Sequence, residues 1–94
     1  MNPDSDHKFY YVYVLRSKKT DQWYTGYTED LRKRFKEYND SKSTYTKKRG
    51  PYELIYYESY KNKDDARSRE LQIKSGTGKA YLRKRLNRFL SLSG

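Results

Sequence analysis

Phe9-Tyr10-Tyr11-Val12-Tyr13-Val14-Leu15 is the stretch on which the fold turns. It is aromatic and β-branched throughout, so it reads as a strand. Successive side chains of a strand point to opposite faces. Tyr11, Tyr13 and Leu15 then share one face, and Tyr10, Val12 and Val14 the other. Both faces are apolar, which predicts a central strand covered on two sides. Working outward, Ser17 to Gln22 is polar and suits a hairpin loop, and Trp23 to Tyr27 suits its return strand. Such a hairpin brings Tyr13 and Tyr24 near one another.

The rest of the chain supplies the covering layers. Thr28 is a fair N-cap and Glu29 and Asp30 suit a first helical turn. Leu31, Phe35 and Tyr38 recur at helical spacing, predicting a helix over 29–38 with Arg34 on the same side. Residues 39–51 are polar and basic and read as a mobile loop ending at Gly50-Pro51. Tyr52 to Tyr60 reads as a third strand, with Leu54, Tyr56, Glu58 and Tyr60 on one face and Ile55 and Tyr57 on the other. Asn62 could cap a helix from Lys63 to Lys74, in which Ala66, Glu70 and Ile73 align and Leu71 widens the apolar face. Ser75-Gly76-Thr77-Gly78 breaks the pattern. A third helix over 79–90 carries Leu82, Leu86, Phe89 and Leu90 on one side. The order ββαβαα predicts a small α/β (α+β) domain: a three-stranded antiparallel sheet flanked by helices. Residues 9–90 form the expected domain, with a disordered tail over 1–8 and a short tail over 91–94.

Composition narrows the function. Ninety-four residues allow one core. A net charge of +10 with few aliphatic residues usually marks disorder, but twelve tyrosines and Trp23 supply apolar bulk instead. With no cysteine and a single histidine, His7, thiolate and multi-histidine metal sites are excluded. No apolar stretch is long enough to cross a bilayer, so a cytoplasmic protein is expected. The charge is clustered: Lys42, Lys47, Lys48 and Arg49 form one acid-free run. Lys74, Lys79, Arg83, Lys84, Arg85 and Arg88 form another. Such runs suit a polyanion, and a nucleic acid, DNA or RNA, is the expected partner. The amphipathic third helix could also meet an anionic membrane. Packing of its apolar side onto the domain is the simpler use, so no membrane partner is expected.

Some residue types fit phosphodiester chemistry. A carboxylate such as Glu70, on the apolar side of its helix, needs a partner: a hard cation, or Arg67 or Lys74 in an ion pair. Spacing alone leaves both readings open. Arg34 could donate paired hydrogen bonds to a phosphoryl group, or simply belong to an exposed helix face. Tyr13, Tyr24 and Tyr38 could orient water and move protons, or fill a core. Gly26 permits a close backbone approach, or serves only the turn.

Read together, Tyr11-Val12-Tyr13, Tyr24-Thr25-Gly26 and Leu31-x-x-Arg34-x-x-x-Tyr38 resemble the signature of the GIY-YIG nuclease superfamily. Arg34 matches the family's catalytic arginine, and Tyr38 falls where members carry His or Tyr. Ala66 to Lys74 resembles the segment that supplies the metal-binding glutamate, at Glu70. Lys74 to Leu82 resembles the small stand-alone bacterial branch. Tyr11 replaces a glycine of the first motif and Thr25 an isoleucine of the second. Asn87 lies too far along to match the asparagine some members place after the glutamate. The resemblance implies an α/β sandwich and Mg²⁺-dependent (or Mn²⁺-dependent) cleavage of DNA by a single-metal mechanism. Tyr13, Tyr24, Arg34, Tyr38 and Glu70 would be catalytic, with Glu70 also the metal ligand. Gly26, Lys42, Lys47, Lys48, Arg49, Lys74, Lys79 and Arg83 would contact nucleic acid. It further implies a structure-directed or weakly sequence-specific enzyme, its specificity low or lent by a protein partner, in repair or recombination; the sequence leaves the oligomeric state open, with a monomer favoured. A nucleic-acid-binding module without catalysis is the alternative.

Overall fold

Tyr10–Ser17 is covered on both faces, and that sets the architecture. The computed structural model describes residues 8–40 and 49–93. The elements are β1 (Tyr10–Ser17), β2 (Trp23–Thr28), α1 (Leu31–Asn39), β3 (Tyr52–Tyr60), α2 (Lys63–Lys74), α3 (Gly76–Arg85) and α4 (Asn87–Ser93). The three strands form one antiparallel sheet in the order β2-β1-β3, so the two-sided apolar strand is central, as its pattern requires.

Alternation along β1 divides the core in two. Val12 and Val14 meet Ala66 and Ile73 of α2 and Leu82 of α3. Tyr13 and Leu15 point the other way, where Leu31, Phe35 and Tyr38 of α1 pack over them. Removing these side chains from water supplies the main driving force on each face. Asn39, at the end of α1, accepts from the Tyr52 N–H at 2.7 Å and donates to the Tyr52 carbonyl at 3.2 Å. That bridge fixes the end of α1 to the start of β3.

Several local expectations need correction. The helix after β2 starts at Leu31 rather than Glu29, with Asp30 as N-cap; its carboxylate accepts from the Lys33 N–H at 3.1 Å. Thr28 instead closes a turn, its hydroxyl accepting from the Asp30 N–H at 3.1 Å. In β3, Leu54 pairs with Leu15 and Tyr56 with Val14, so a bulge falls between them. An inserted residue reverses the alternation beyond it. Leu54 therefore packs with Tyr13 and Leu15, whereas Ile55 and Tyr56 pack on the α2 side. Only one residue separates α2 from α3, because the Ser75 hydroxyl accepts from the Gly78 N–H at 3.1 Å and restarts the helix. The single helix expected over 79–90 is two, divided at Leu86, whose N–H points at the carbonyls of Leu82 and Lys84. That division places Phe89 under the Arg16 guanidinium, 5.2 Å from the ring centre. α4 continues through Ser93.

Candidate active site

Tyr13 sits at the middle of the sheet, paired with Gly26 on β2 and with Tyr57 on β3. Its side chain is 2% exposed. A Cβ at position 26 would lie 2.5 Å from the Tyr13 Cζ and closer still to its hydroxyl. Gly26 is therefore the residue that lets the Tyr13 ring lie across β2. The Tyr38 ring meets it edge-on, at 6.2 Å between centroids. A row of edge contacts then runs from Tyr38 to Tyr52 at 5.2 Å and from Tyr52 to Tyr24 at 5.6 Å. Arg34, from α1, and Tyr38 both lie near the Tyr13 hydroxyl. Its Nε also pairs with Glu37 Oε1 at 3.3 Å, and its side chain is 44% exposed. One end of this group therefore reaches solvent, beside a cleft of about 310 Å³ lined by Thr28, Asp30, Lys33 and Arg34. Burial pushes the Tyr13 phenol well above its ordinary pKa; Tyr38 adds to the rise and Arg34 opposes it. Tyr13 thus holds its proton at neutral pH.

Glu70 stands elsewhere. Its side chain is 12% exposed, and its Oε2 pairs with Lys74 Nζ at 2.8 Å. The pairing with Lys74 is one of the two partners its spacing allowed. α2 packs on the Val12 and Val14 face, whereas Tyr13, Tyr24, Arg34 and Tyr38 belong to the α1 face. The five side chains therefore come from elements on both faces of the sheet. On the α2 side Lys74 and Lys79 line a hollow of about 140 Å³ with Trp23 and Thr25. Arg83 and Lys79 approach the Trp23 ring at 4.7 and 5.9 Å. The Arg49 carbonyl accepts from the buried Ser17 hydroxyl. Lys42, Lys47 and Lys48 lie outside the described residues.

A lone carboxylate among oxygen donors suits a hard divalent cation. Among the described residues no group of three or more His, Cys, Asp or Glu gathers to hold an ion. A site at Glu70 would rest on one carboxylate, completed by water and substrate oxygen. Mg²⁺ accepts that set, since it keeps several waters and favours hard oxygen ligands.

The structure adds residues that the sequence patterns passed over. Glu58 accepts from Arg69 Nε at 2.9 Å and from the hydroxyls of Tyr56 and Tyr60, tying β3 to α2. Burial alone would raise its pKa, but the hydrogen bonds from Arg69, Tyr56 and Tyr60 together hold it below the usual value. Tyr52 and Tyr57 flank the candidate cluster. The β3 bulge hid their positions, because no residue type marks it.

A small α+β domain that sets tyrosines and an arginine on a strand-strand-helix unit is the plan of a GIY-YIG domain. The chain belongs to the GIY-YIG family: the GIY-YIG catalytic domain matches residues 9–87. This is a nuclease family whose members generally use divalent metal ions. The chain is 46% identical to the UPF0213 protein CPE1444 of Clostridium perfringens, over 71% of this chain and 72% of that one. It is 45% identical to the UPF0213 protein YazA of Bacillus subtilis, over 74% and 71%. The solution NMR structure of the UPF0213 protein BH0048 from Bacillus halodurans superposes with a TM-score of 0.51 at 36% identity, covering 79% of this chain and 81% of that one.

Proposed function

We propose that this protein is a metal-dependent endonuclease that hydrolyses DNA phosphodiester bonds and selects DNA by structure, with roles in repair or recombination. The observation that carries this reading is the meeting of Tyr13, Arg34 and Tyr38 above Gly26. A guanidinium there can donate two hydrogen bonds to phosphoryl oxygens as they gain charge. Tyr13, kept protonated by burial, serves as a hydrogen-bond donor to the attacking water or the phosphate rather than as a base. Tyr24 orients that water from the same face, and Tyr38 holds Tyr13 and Arg34 in register. A Mg²⁺ or Mn²⁺ ion on Glu70, when bound, would supply an activated water and neutralise charge on the leaving oxygen. The DNA strand crosses the edge of β2, so that Arg34 meets it from one side and Glu70 from the other. Lys74, Lys79 and Arg83 hold the backbone beyond.

The test is a panel of linear, nicked, flapped and branched DNAs with Mg²⁺ and with Mn²⁺. We expect a discrete, metal-dependent product that falls roughly 100-fold or more in Arg34→Ala and in Glu70→Gln, while DNA binding changes little in Glu70→Gln. Undiminished cutting by Glu70→Gln would remove Glu70 from the mechanism. The placement of Glu70 on the opposite sheet face, already paired with Lys74, favours a second reading: a binding module without catalysis. That reading requires salt-sensitive DNA binding and no product with either metal.

A further inference from the structure

Tyr57 is the Cα partner of Tyr13 on β3, and its side chain is 53% exposed. Directly opposed residues of an antiparallel pair place their Cβ atoms roughly 5 Å apart. The Tyr57 ring therefore stands immediately beside the candidate cluster. Tyr11, half-buried on β1, leans against it, with ring centroids 6.1 Å apart and planes inclined by 59°. Neither ring belongs to either of the two packed cores. Two large aromatic side chains thus lie on the outer part of the α1 face, in a chain of net charge +10.

We propose that Tyr57, supported by Tyr11, is a stacking platform for one unpaired base of a DNA bound on the α1 face of the sheet. The proposal rests on the reading of this face as the DNA site and names the substrate feature that it selects. A paired base has both faces covered by its neighbours in the duplex, so a protein ring can stack only on a base that is unpaired or splayed out. The arrangement divides the recognition: Arg34 takes the phosphate, which every DNA offers, and Tyr57 takes a base face, which only a gap, flap or branch offers. The aromatic contact is indifferent to base identity, because every base has a π-face. Selection is then by structure rather than by sequence. A tyrosine placed only for its strand propensity would leave no such preference.

The experiment measures binding without metal, in EDTA, so that no cleavage intervenes. The probes are a blunt duplex and a flapped duplex of equal paired length. The flap carries 2-aminopurine at its first unpaired position. The expected result is tighter binding of the flap and quenching of 2-aminopurine fluorescence on complex formation. Tyr57→Leu should lose roughly 5- to 100-fold on the flap, with less than about two-fold change on the duplex. Tyr57→Phe should keep both the preference and the quenching. Tyr81→Leu, at a tyrosine 51% exposed on α3, should change neither. Equal wild-type affinity for the two DNAs, unquenched fluorescence, or an equal loss on both DNAs by a folded Tyr57→Leu would each overturn the platform. The quenching measurement needs only the unaltered protein, so poor folding of a variant does not spare the idea. Absence of cleavage in the metal panel would sink the nuclease reading and leave these binding results standing. Cleavage without quenching would sink the platform alone.

Discussion

The Tyr13 ring rests on the backbone of Gly26 because nothing projects from that α-carbon. Tyr13 is 2% exposed and is boxed in by Tyr38 and Arg34, so it has no free direction in which to yield. A methyl group at position 26 would meet the phenol end of the ring inside van der Waals contact. Gly26→Ala should therefore destabilise the fold by about 1–3 kcal/mol, the range for overpacking a filled core. Tyr13→Phe keeps the ring and loses only the hydroxyl, so it should cost about 0.5–1.5 kcal/mol. Urea denaturation of the two variants tests the ranking, and the reverse order would mean that the ring moves freely. Gly26 was legible in sequence as a position of close approach, but the residue that approaches it was not. A spacing gives no pairing partner; the register Tyr13 opposite Gly26 supplies it.

At the scale of elements, the two glycines of Ser75-Gly76-Thr77-Gly78 have opposite meanings. Around Gly76, the first residue of α3, a Cβ would find open space. At Gly78 it would strike the Gln72 carbonyl, with the Gln72 carbonyl carbon and the Ile73 Cα each only 2.8 Å away. Those are backbone atoms of α2, which cannot swing aside as a side-chain tip can. Gly76→Ala should raise stability by about 0.4–1 kcal/mol through the unfolded chain. Gly78→Ala should lower it by about 2 kcal/mol or more as α3 is forced away from α2. Thermal unfolding of both variants checks this, and similar melting temperatures would show that the helix junction is loose. The sequence marked a break here but could not show that the chain needs only one residue to turn. The strand pattern was legible over Tyr10–Leu15 and at the ends of β3, but β1 runs on through Ser17, which the polar pattern assigns to the hairpin loop. The β3 bulge was not, since Leu54-Ile55-Tyr56 is apolar on either register.

Across the whole molecule, the two-sided central strand that made the fold readable also divides the candidate residues. Tyr13, Tyr24, Arg34 and Tyr38 come from the α1 face, and Glu70, Lys74, Lys79 and Arg83 from α2 and α3 on the other. Residue types at the right spacings named these groups, but spacing says nothing about which sheet face a later helix will cover. On the proposed reading DNA passes over the β2 edge, with Lys74, Lys79 and Arg83 contributing charge from the α2 and α3 side. Lys79 and Arg83 flank Trp23 there and belong to neither core. Each phosphate contact releases condensed counterions, so log K falls with log salt by about 0.9 for every phosphate neutralised on a duplex. Replacing both Lys79 and Arg83 with Ala should thus flatten the slope by about 2. The preference for a flapped over a blunt DNA should survive, because Tyr57 supplies it from the far side of Tyr13. Titrations from 50 to 300 mM salt on both DNAs measure slope and preference together. An unchanged slope would move the backbone path away from Trp23, and a lost preference would mean that charge, not the aromatic face, distinguishes the two DNAs.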